Sequence, residues 1–376
     1  MSVFQELTQK NQEKRRVMRS QMKMQEYNDN TDESMESVTF SLLFPQIFNS
    51  CPLSDPTEKT TIDRELLILM KRCCILCQNT YWHPDKRKLP SEVGPIVFDQ
   101  KSYFPGQVPF FITNSDELNE IYIAIRGTYC YADFLTDLMA LAVNTDQGQM
   151  HIGVYIAAQI CFSQLQNFVL NLSASYNNRP ILVTGHSLGG AVADAVCHLI
   201  RKAAPHIPCR SIVFAPAASS SRSCYQKSLE TTITFIQLGD PVPFLCLENI
   251  MKVLRSTMSP GTAIGLKNLC AKIVRNQRQR MSEIRRMPQD FNPFINQSPP
   301  LIPEEQETAD GMGQIPMYPP GKYYLIIQNE SGEVELHSIN DPDYFGHFCK
   351  DLSEFKHAMA GYMRTVHKYY DQNIGT

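Results

Sequence analysis

The run Gly185-His186-Ser187-Leu188-Gly189 sets a serine between two glycines, the pattern required when a nucleophilic hydroxyl must stand on a sharp turn. The chemistry open to such a serine is attack on an acyl carbonyl, provided that a histidine accepts its proton and a carboxylate orients that histidine. A Gly-x-Ser-x-Gly match alone arises by chance in roughly a tenth of chains this long, so its surroundings must carry the reading. They do: residues 180–184 (PILVT) have the character of a short buried strand, and Gly190-Ala191-Val192-Ala193 opens a helix-forming run over 191–204. Glycines at 185 and 189 would let strand and helix approach closely beneath the turn. The first N–H groups of the helix, with its positive dipole end, would face the reacting centre. Leu188, directly after the serine, would offer one N–H to an oxyanion.

In hydrolases built on this turn the chain order is serine, acid, histidine. Asp240 follows a strand expected over 232–238, and Pro241 and Pro243 would stiffen its loop. The same Asp-Pro pair would also serve as a plain turn starter. Among the later histidines, His337 falls mid-strand and His367 deep in a helix, positions suited to packing or surface roles. His347 and His357 both stand as candidate bases.

The elements that must position these residues can be traced by periodicity. Residues 61–81 form an apolar core-type helix, and 108–113 with 120–126 form a hairpin. A helical period resumes over 150–171, strands follow at 211–214 and 232–238, and a last hairpin joins 322–329 to 333–339. Residues 351–370 close the chain as an amphipathic helix. Strands alternating with helices predict an α/β fold, a mainly parallel sheet with helices on both faces. The pattern breaks between 251 and 317. Nine Lys/Arg face the single acid Glu283 over 251–287, and a proline-rich stretch over 288–320 holds five acids and no Lys or Arg. This predicts an insertion, a basic helical part and then a flexible acidic loop. A charged N-terminal extension over 1–37 and one domain over 38–376 account for the whole.

Composition narrows the function classes. The 376 residues are 43% hydrophobic, enough for a sizeable core, and the net charge of −3 provides no global attraction for nucleic acid. No apolar run approaches the 18 or more residues of a membrane-spanning helix, to the usual rough threshold. The first thirty residues lack the apolar core of a secretory signal, so the twelve cysteines are expected to stay reduced in a cytoplasmic setting. Cys73, Cys74 and Cys77 lie in the apolar helix without a second Cys/His pair at zinc-binding spacing. They are expected to be buried packing residues rather than metal ligands.

Four blocks in order resemble the class-three lipase family, which includes fungal triacylglycerol lipases and diacylglycerol lipases. They are Ile123-Ala124-Ile125-Arg126-Gly127-Thr128 continued by Asp133-Phe134-Leu135-Thr136-Asp137-Leu138, then Met150-His151-Ile152-Gly153-Val154, then Val183 to Ala193, then Gly239-Asp240-Pro241-Val242-Pro243. Tyr318-Pro319-Pro320-Gly321-Lys322 is similar to a strand entrance of the diacylglycerol-lipase-like members. The chain departs from the family at Ile125, at Phe134 where tryptophan is usual, at Ala215-Pro216-Ala217, and at Lys356 before the histidine.

The resemblance implies an α/β-hydrolase fold, with Ser187 as nucleophile, Asp240 as orienting acid and His357 as base, His347 being the rival. It implies Thr128 and Leu188 as oxyanion donors, His186 packed under the turn and pointing away from Ser187, and Asp137 as a structural acid. Residues 129–140 would form a lid. The implied activity is hydrolysis of a lipid carboxylic ester, an acylglycerol such as diacylglycerol, without cofactor or metal. Peripheral contact with an anionic membrane through the basic insertion is a further expectation. The alternatives are a phospholipase, a soluble carboxylesterase, or a non-catalytic lipase-like signalling or scaffold protein.

Overall fold

A single register of alternation organises the sheet. On its central strands successive side chains turn to opposite faces, and both faces are covered, so every residue of two of these strands, Glu120–Ile125 and Ile181–His186, is buried. The computed structural model describes residues 57–101, 107–127, 142–246, 248–249, 252, 316–347, 352 and 354–375. The extension 1–37, the lid 129–140 and the body of the insertion lie outside the described residues. All described residues fall within one unit, Ser50–Thr376.

In chain order the elements are β1 (Glu58–Thr60), α1 (Arg64–Thr80), β2 (Ile96–Gln100), β3 (Phe110–Ser115), β4 (Glu120–Ile125), β5 (Ala142–Asn144), β6 (Gln149–His151), α2 (Ile152–Ser175), β7 (Ile181–His186), α3 (Leu188–Ala203), β8 (Cys209–Phe214), α4 (Arg222–Ser228), β9 (Thr232–Gln237), β10 (Lys322–Gln328), β11 (Val334–Ile339) and α5 (Met359–Asn373). Nine strands form one sheet in the order β1-β11-β10-β9-β8-β7-β4-β3-β2. The five central strands, β4 and β7 to β10, are mutually parallel. Antiparallel hairpins finish both edges, β3 against β4 with β2 outside it, and β10 against β11 with β1 outside it. The predicted α/β fold with helices on both faces is the one observed. β5 and β6 form a separate ribbon.

The two faces are distinguished by which side chains they receive. Tyr122, Ala124, Leu182, Ile212, Phe214, Phe235 and Tyr324 join α1 and α5 in one core with Leu76, Cys77, Tyr362 and Val366. Each fully buried leucine or phenylalanine in such a core stabilises the fold by roughly 1.5–3 kcal/mol. Cys73, Cys74 and Cys77 lie wholly inside it, as expected of small apolar side chains. The alternate residues Ser211 and Thr232 turn the other way, where their hydroxyls bond each other at 2.7 Å and Thr232 donates to Asp194 of α3 at 2.5 Å. Thus α3, packed with α2, covers the opposite face.

Helix ends follow local chemistry. Asp63 caps α1 by accepting the Leu66 N–H at 2.8 Å, so the helix starts three residues later than the apolar run suggests. The Nδ1 of His151 caps α2 in the same way, accepting from the Gly153 and Val154 N–H groups. The C-terminal helix begins at Met359 rather than near 351. A 3₁₀ turn, Glu354–His357, and an extended Ala358 precede it. The amphipathic period runs through that break without registering it, because the break serves a distant contact described below.

Asp194 makes the fold sensitive to pH. Burial raises its pKa to about 6, only partly countered by the Thr232 hydroxyl. A carboxyl with a raised folded-state pKa binds its proton more tightly in the native state, so stability is fullest below about pH 4 and is lost as pH rises through about 6. Asp194→Asn keeps an acceptor for Thr232 and removes the ionisation. It is expected to raise the free energy of denaturant unfolding at pH 7–8 by up to about 3 kcal/mol, and the midpoint with it, with little change near pH 4, from the 1.36 kcal/mol carried by each pKa unit. Equal midpoints for both proteins at pH 8 would contradict this.

Candidate active site

β7 carries the chain to the carboxyl edge of the sheet, and Ser187 turns it at once into α3. The serine has φ 61° and ψ −131°, a conformation that costs a non-glycine residue of order 1–3 kcal/mol. The turn is this tight because the two flanking glycines permit it. A Cβ on Gly185 would overlap the carbonyl of Gly189, and one on Gly189 would overlap the carbonyl of Ile125 on β4. Any larger residue would push the strand, the helix and the neighbouring strand apart.

The end of β4 comes in beside this turn. A Cβ on Gly127 would lie 3.0 Å from the Ser187 Cβ. Thr128, one residue further, lies outside the described residues, as do Asp137 and the lid. Leu188 opens α3, so its N–H is among the four that no helical carbonyl reaches.

Asp240 lies three residues beyond β9 and is completely buried. Its carboxylate accepts the Nδ1–H of His357 at 3.0 and 3.1 Å, the Tyr362 hydroxyl at 2.7 Å and the Val242 N–H at 2.9 Å. The last bond is the turn-starter role that the Asp-Pro pair suggested, and the acid performs it alongside its contact with the histidine. His357, at the end of the 3₁₀ turn, is buried as well. With its Nδ1–H given to a carboxylate, the neutral ring presents Nε2 as its basic atom. His347 is only half-buried and is absent from the acid's partners. His337 sits in β11, bonded to Thr57 at 2.9 Å, and His367 lies in α5.

His186 does pack under the turn. It bonds to Tyr81 and to the backbone of His357, and its ring stacks on that of His357 with centroids 4.5 Å apart. The elbow and the loop bearing His357 are thereby in direct contact.

Tyr362 is the residue that sequence reasoning missed. Its hydroxyl accepts the Gln237 N–H at 2.8 Å while donating to Asp240, so it ties the end of β9 to α5. Burial, and then the charge of Asp240, hold its phenol well above the ordinary range, so it stays a neutral donor. It lies five residues beyond His357 with no pattern linking it to Asp240, 122 residues earlier. Tyr362→Phe would leave the Gln237 N–H buried without that acceptor, and is expected to cost about 1–3 kcal/mol in denaturant unfolding. An unchanged midpoint would show that the phenol is dispensable.

A mainly parallel sheet whose central strand ends in a strained Gly-x-Ser-x-Gly turn, with an Asp–His pair supplied from beyond β9 and from the C-terminal region, is the arrangement of the α/β-hydrolase fold. Residues 122–250 match the family model described as lipase (class 3). The chain is similar to diacylglycerol lipase-beta of Mus musculus, 28% identical over 170 residues that make up 43% of this chain and 24% of that protein. It is likewise similar to diacylglycerol lipase-alpha of Homo sapiens, 24% identical over 264 residues, 64% of this chain and 24% of that one. The chain thus spans about a quarter of the length of these curated relatives. In fold it resembles the Rhizomucor miehei lipase propeptide complex, with a TM-score of 0.51 at 14% identity, covering 87% of this chain and 86% of that one. A triacylglycerol lipase whose catalytic centre is described as a serine protease triad gives the same TM-score at 14% identity, over 80% and 96% of the two chains.

Proposed function

We propose that this chain is a serine hydrolase that cleaves the carboxylic esters of acylglycerols, diacylglycerol among them, through an acyl-enzyme. The observation that carries the reading is the buried Asp240–His357 pair lying against the strained turn that bears Ser187. In this mechanism His357 Nε2 takes the Ser187 proton as Oγ attacks the ester carbonyl. Asp240 holds the ring in the Nδ1–H tautomer and stabilises the imidazolium. The Leu188 N–H and Thr128 receive the oxyanion. The imidazolium then protonates the leaving alcohol, and water activated by the same histidine releases the fatty acid. No metal or cofactor is needed at any step.

The choice of acylglycerol rests on the match of residues 122–250 to the class-three lipase model and on the diacylglycerol lipases among the relatives. Nine cationic side chains over 251–287 support peripheral contact with an anionic membrane surface. Among the described residues no helix is long and apolar enough to cross a membrane. The eight described cysteines are buried free thiols, which fits a reducing cytoplasmic setting.

The test is a panel of diacylglycerol, triacylglycerol, phosphatidylcholine and short-chain nitrophenyl esters, with fluorophosphonate labelling alongside. Labelling together with preferred release of fatty acid from diacylglycerol is expected. Labelling with activity on the short-chain esters alone would replace the lipase reading with a soluble carboxylesterase. Preference for phosphatidylcholine would make it a phospholipase, and no labelling would make it a non-catalytic member of the family.

A further inference from the structure

We propose that Tyr81 and His186 form a positioning relay that holds the base, His357, in register with the nucleophile. The inference rests on the reading of His357 as the base. Its elements come from three distant parts of the chain: Tyr81 at the end of α1, His186 at the end of β7, and His357 ahead of α5.

The hydrogen bonds fix the protonation of His186. Its Nε2 lies 2.9 Å from the carbonyl oxygen of His357, which can only accept, so Nε2 carries the proton. The Nδ1 of a neutral ring is then an acceptor, and the Tyr81 hydroxyl, 2.9 Å away, donates to it. Both ring nitrogens are therefore used, one on each side. The ring is also stacked on His357 at 4.5 Å with planes inclined by 27°, and it meets Tyr81 and Tyr362 edge-on at 5.9 and 5.7 Å. Tyr81 itself reaches the neighbourhood of Gly127, where a Cβ would lie 2.7 Å from its hydroxyl. One tyrosine thus touches the strand leading to the oxyanion loop and, through His186, the loop of the base.

The arrangement has a mechanical consequence. His186 is covalently adjacent to Ser187, so a bond from its ring to the His357 backbone ties the nucleophile's turn to the loop carrying the base. Asp240 holds His357 by its ring, whereas His186 holds it by its main chain. Two attachments at different points remove the rotation that one would allow. Misplacement of a reacting group by about 1 Å can cost on the order of a hundredfold in rate, so such a tie acts on turnover rather than on substrate binding.

It has an electrostatic consequence as well. The titratable groups facing His186 are Tyr81, His357 and Tyr362, with Asp240 behind the last two. Burial, then the neighbouring His357, keep the His186 ring well below the ordinary histidine range, and so neutral. When His357 becomes an imidazolium it stacks on an uncharged π face rather than on a second cation. A protonated His186 would reverse the Tyr81 contact, its Nδ1–H then donating to the phenol oxygen.

The experiment uses the full chain with His186→Leu, His186→Gln and Tyr81→Phe. The readouts are the second-order rate of fluorophosphonate labelling, kcat and KM on a soluble ester, and denaturant unfolding. A glutamine amide can donate to the same carbonyl; leucine cannot. For folded His186→Leu, labelling and kcat are expected to fall roughly 10–100-fold with KM within about twofold of wild type. His186→Gln should recover most of that loss, and Tyr81→Phe should lie between, about 3–10-fold below wild type. Should His186→Leu fail to fold, Tyr81→Phe carries the test, its smaller fall in kcat at constant KM being the expected result. A folded His186→Leu, or failing that Tyr81→Phe, that labels as fast as wild type overturns the relay alone. So does a His186→Gln no better than leucine. An unlabelled wild type overturns the hydrolase reading, and the relay with it.

Discussion

Ser187→Ala is expected to abolish fluorophosphonate labelling and to lower kcat on any ester substrate by about 10⁴–10⁶, with the fold intact. The loss should be this large because Ser187 carries the hydroxyl placed at the head of α3 on a turn that strains its backbone to φ 61°. Neighbouring groups can stabilise charge there but cannot form the acyl-enzyme. Alanine fits the same turn, so the measured unfolding midpoint should stay near that of wild type. His357→Ala should fall into the same range, since removing nucleophile or base disables the same step and the two losses do not add. His347→Ala should remain within about twofold of wild type, because His347 makes no contact with Asp240. A Ser187→Ala protein that still labels would move the nucleophile elsewhere, and a large loss in His347→Ala with none in His357→Ala would reverse the assignment of the base.

Asp240→Asn should lower kcat roughly ten-thousand-fold while changing KM little. The carboxylate receives donors only: the His357 Nδ1–H, the Tyr362 hydroxyl and the Val242 N–H. An amide replaces one acceptor oxygen with an NH₂ group. If the NH₂ turns towards His357, the ring must present Nδ1 as acceptor and place its proton on Nε2, which is the wrong tautomer to receive a proton from Ser187. If it turns towards Tyr362, the phenol loses its acceptor. Because the site is fully buried, no water relieves either conflict, and a loss of stability of about 1–3 kcal/mol is expected with the loss of rate. The check is kcat and KM on a soluble ester together with denaturant unfolding. Retention of more than about a tenth of wild-type kcat would show that Asp240 does not set the tautomer.

Legibility in the sequence followed the range of the interactions. The elbow is a local object: a strand, two glycines and a helix must lie within a dozen residues, and so Ser187 and its neighbours could be read directly. The central strands were legible for the same reason, since burial on both faces leaves continuous apolar runs such as 180–184. β1 had no such signal. It is three residues long and is held by β11 some 280 positions away, with Glu58 opposite Ser338. β2, whose faces are only partly covered, was equally silent.

Amino-acid order by itself determined the class of fold, the strained turn at Ser187 and a short set of acids and histidines that could serve it. It did so because local propensity, glycine spacing and hydrophobic period are written within single elements. Tertiary structure alone decided which histidine meets Asp240, that Tyr362 bonds the same carboxylate, and that His186 reaches back to the carbonyl of His357. Those contacts join residues more than a hundred positions apart. They exist because a buried carboxylate must find donors for its lone pairs and a buried imidazole must satisfy both its nitrogens, and only the packed sheet and helices determine which groups are within reach.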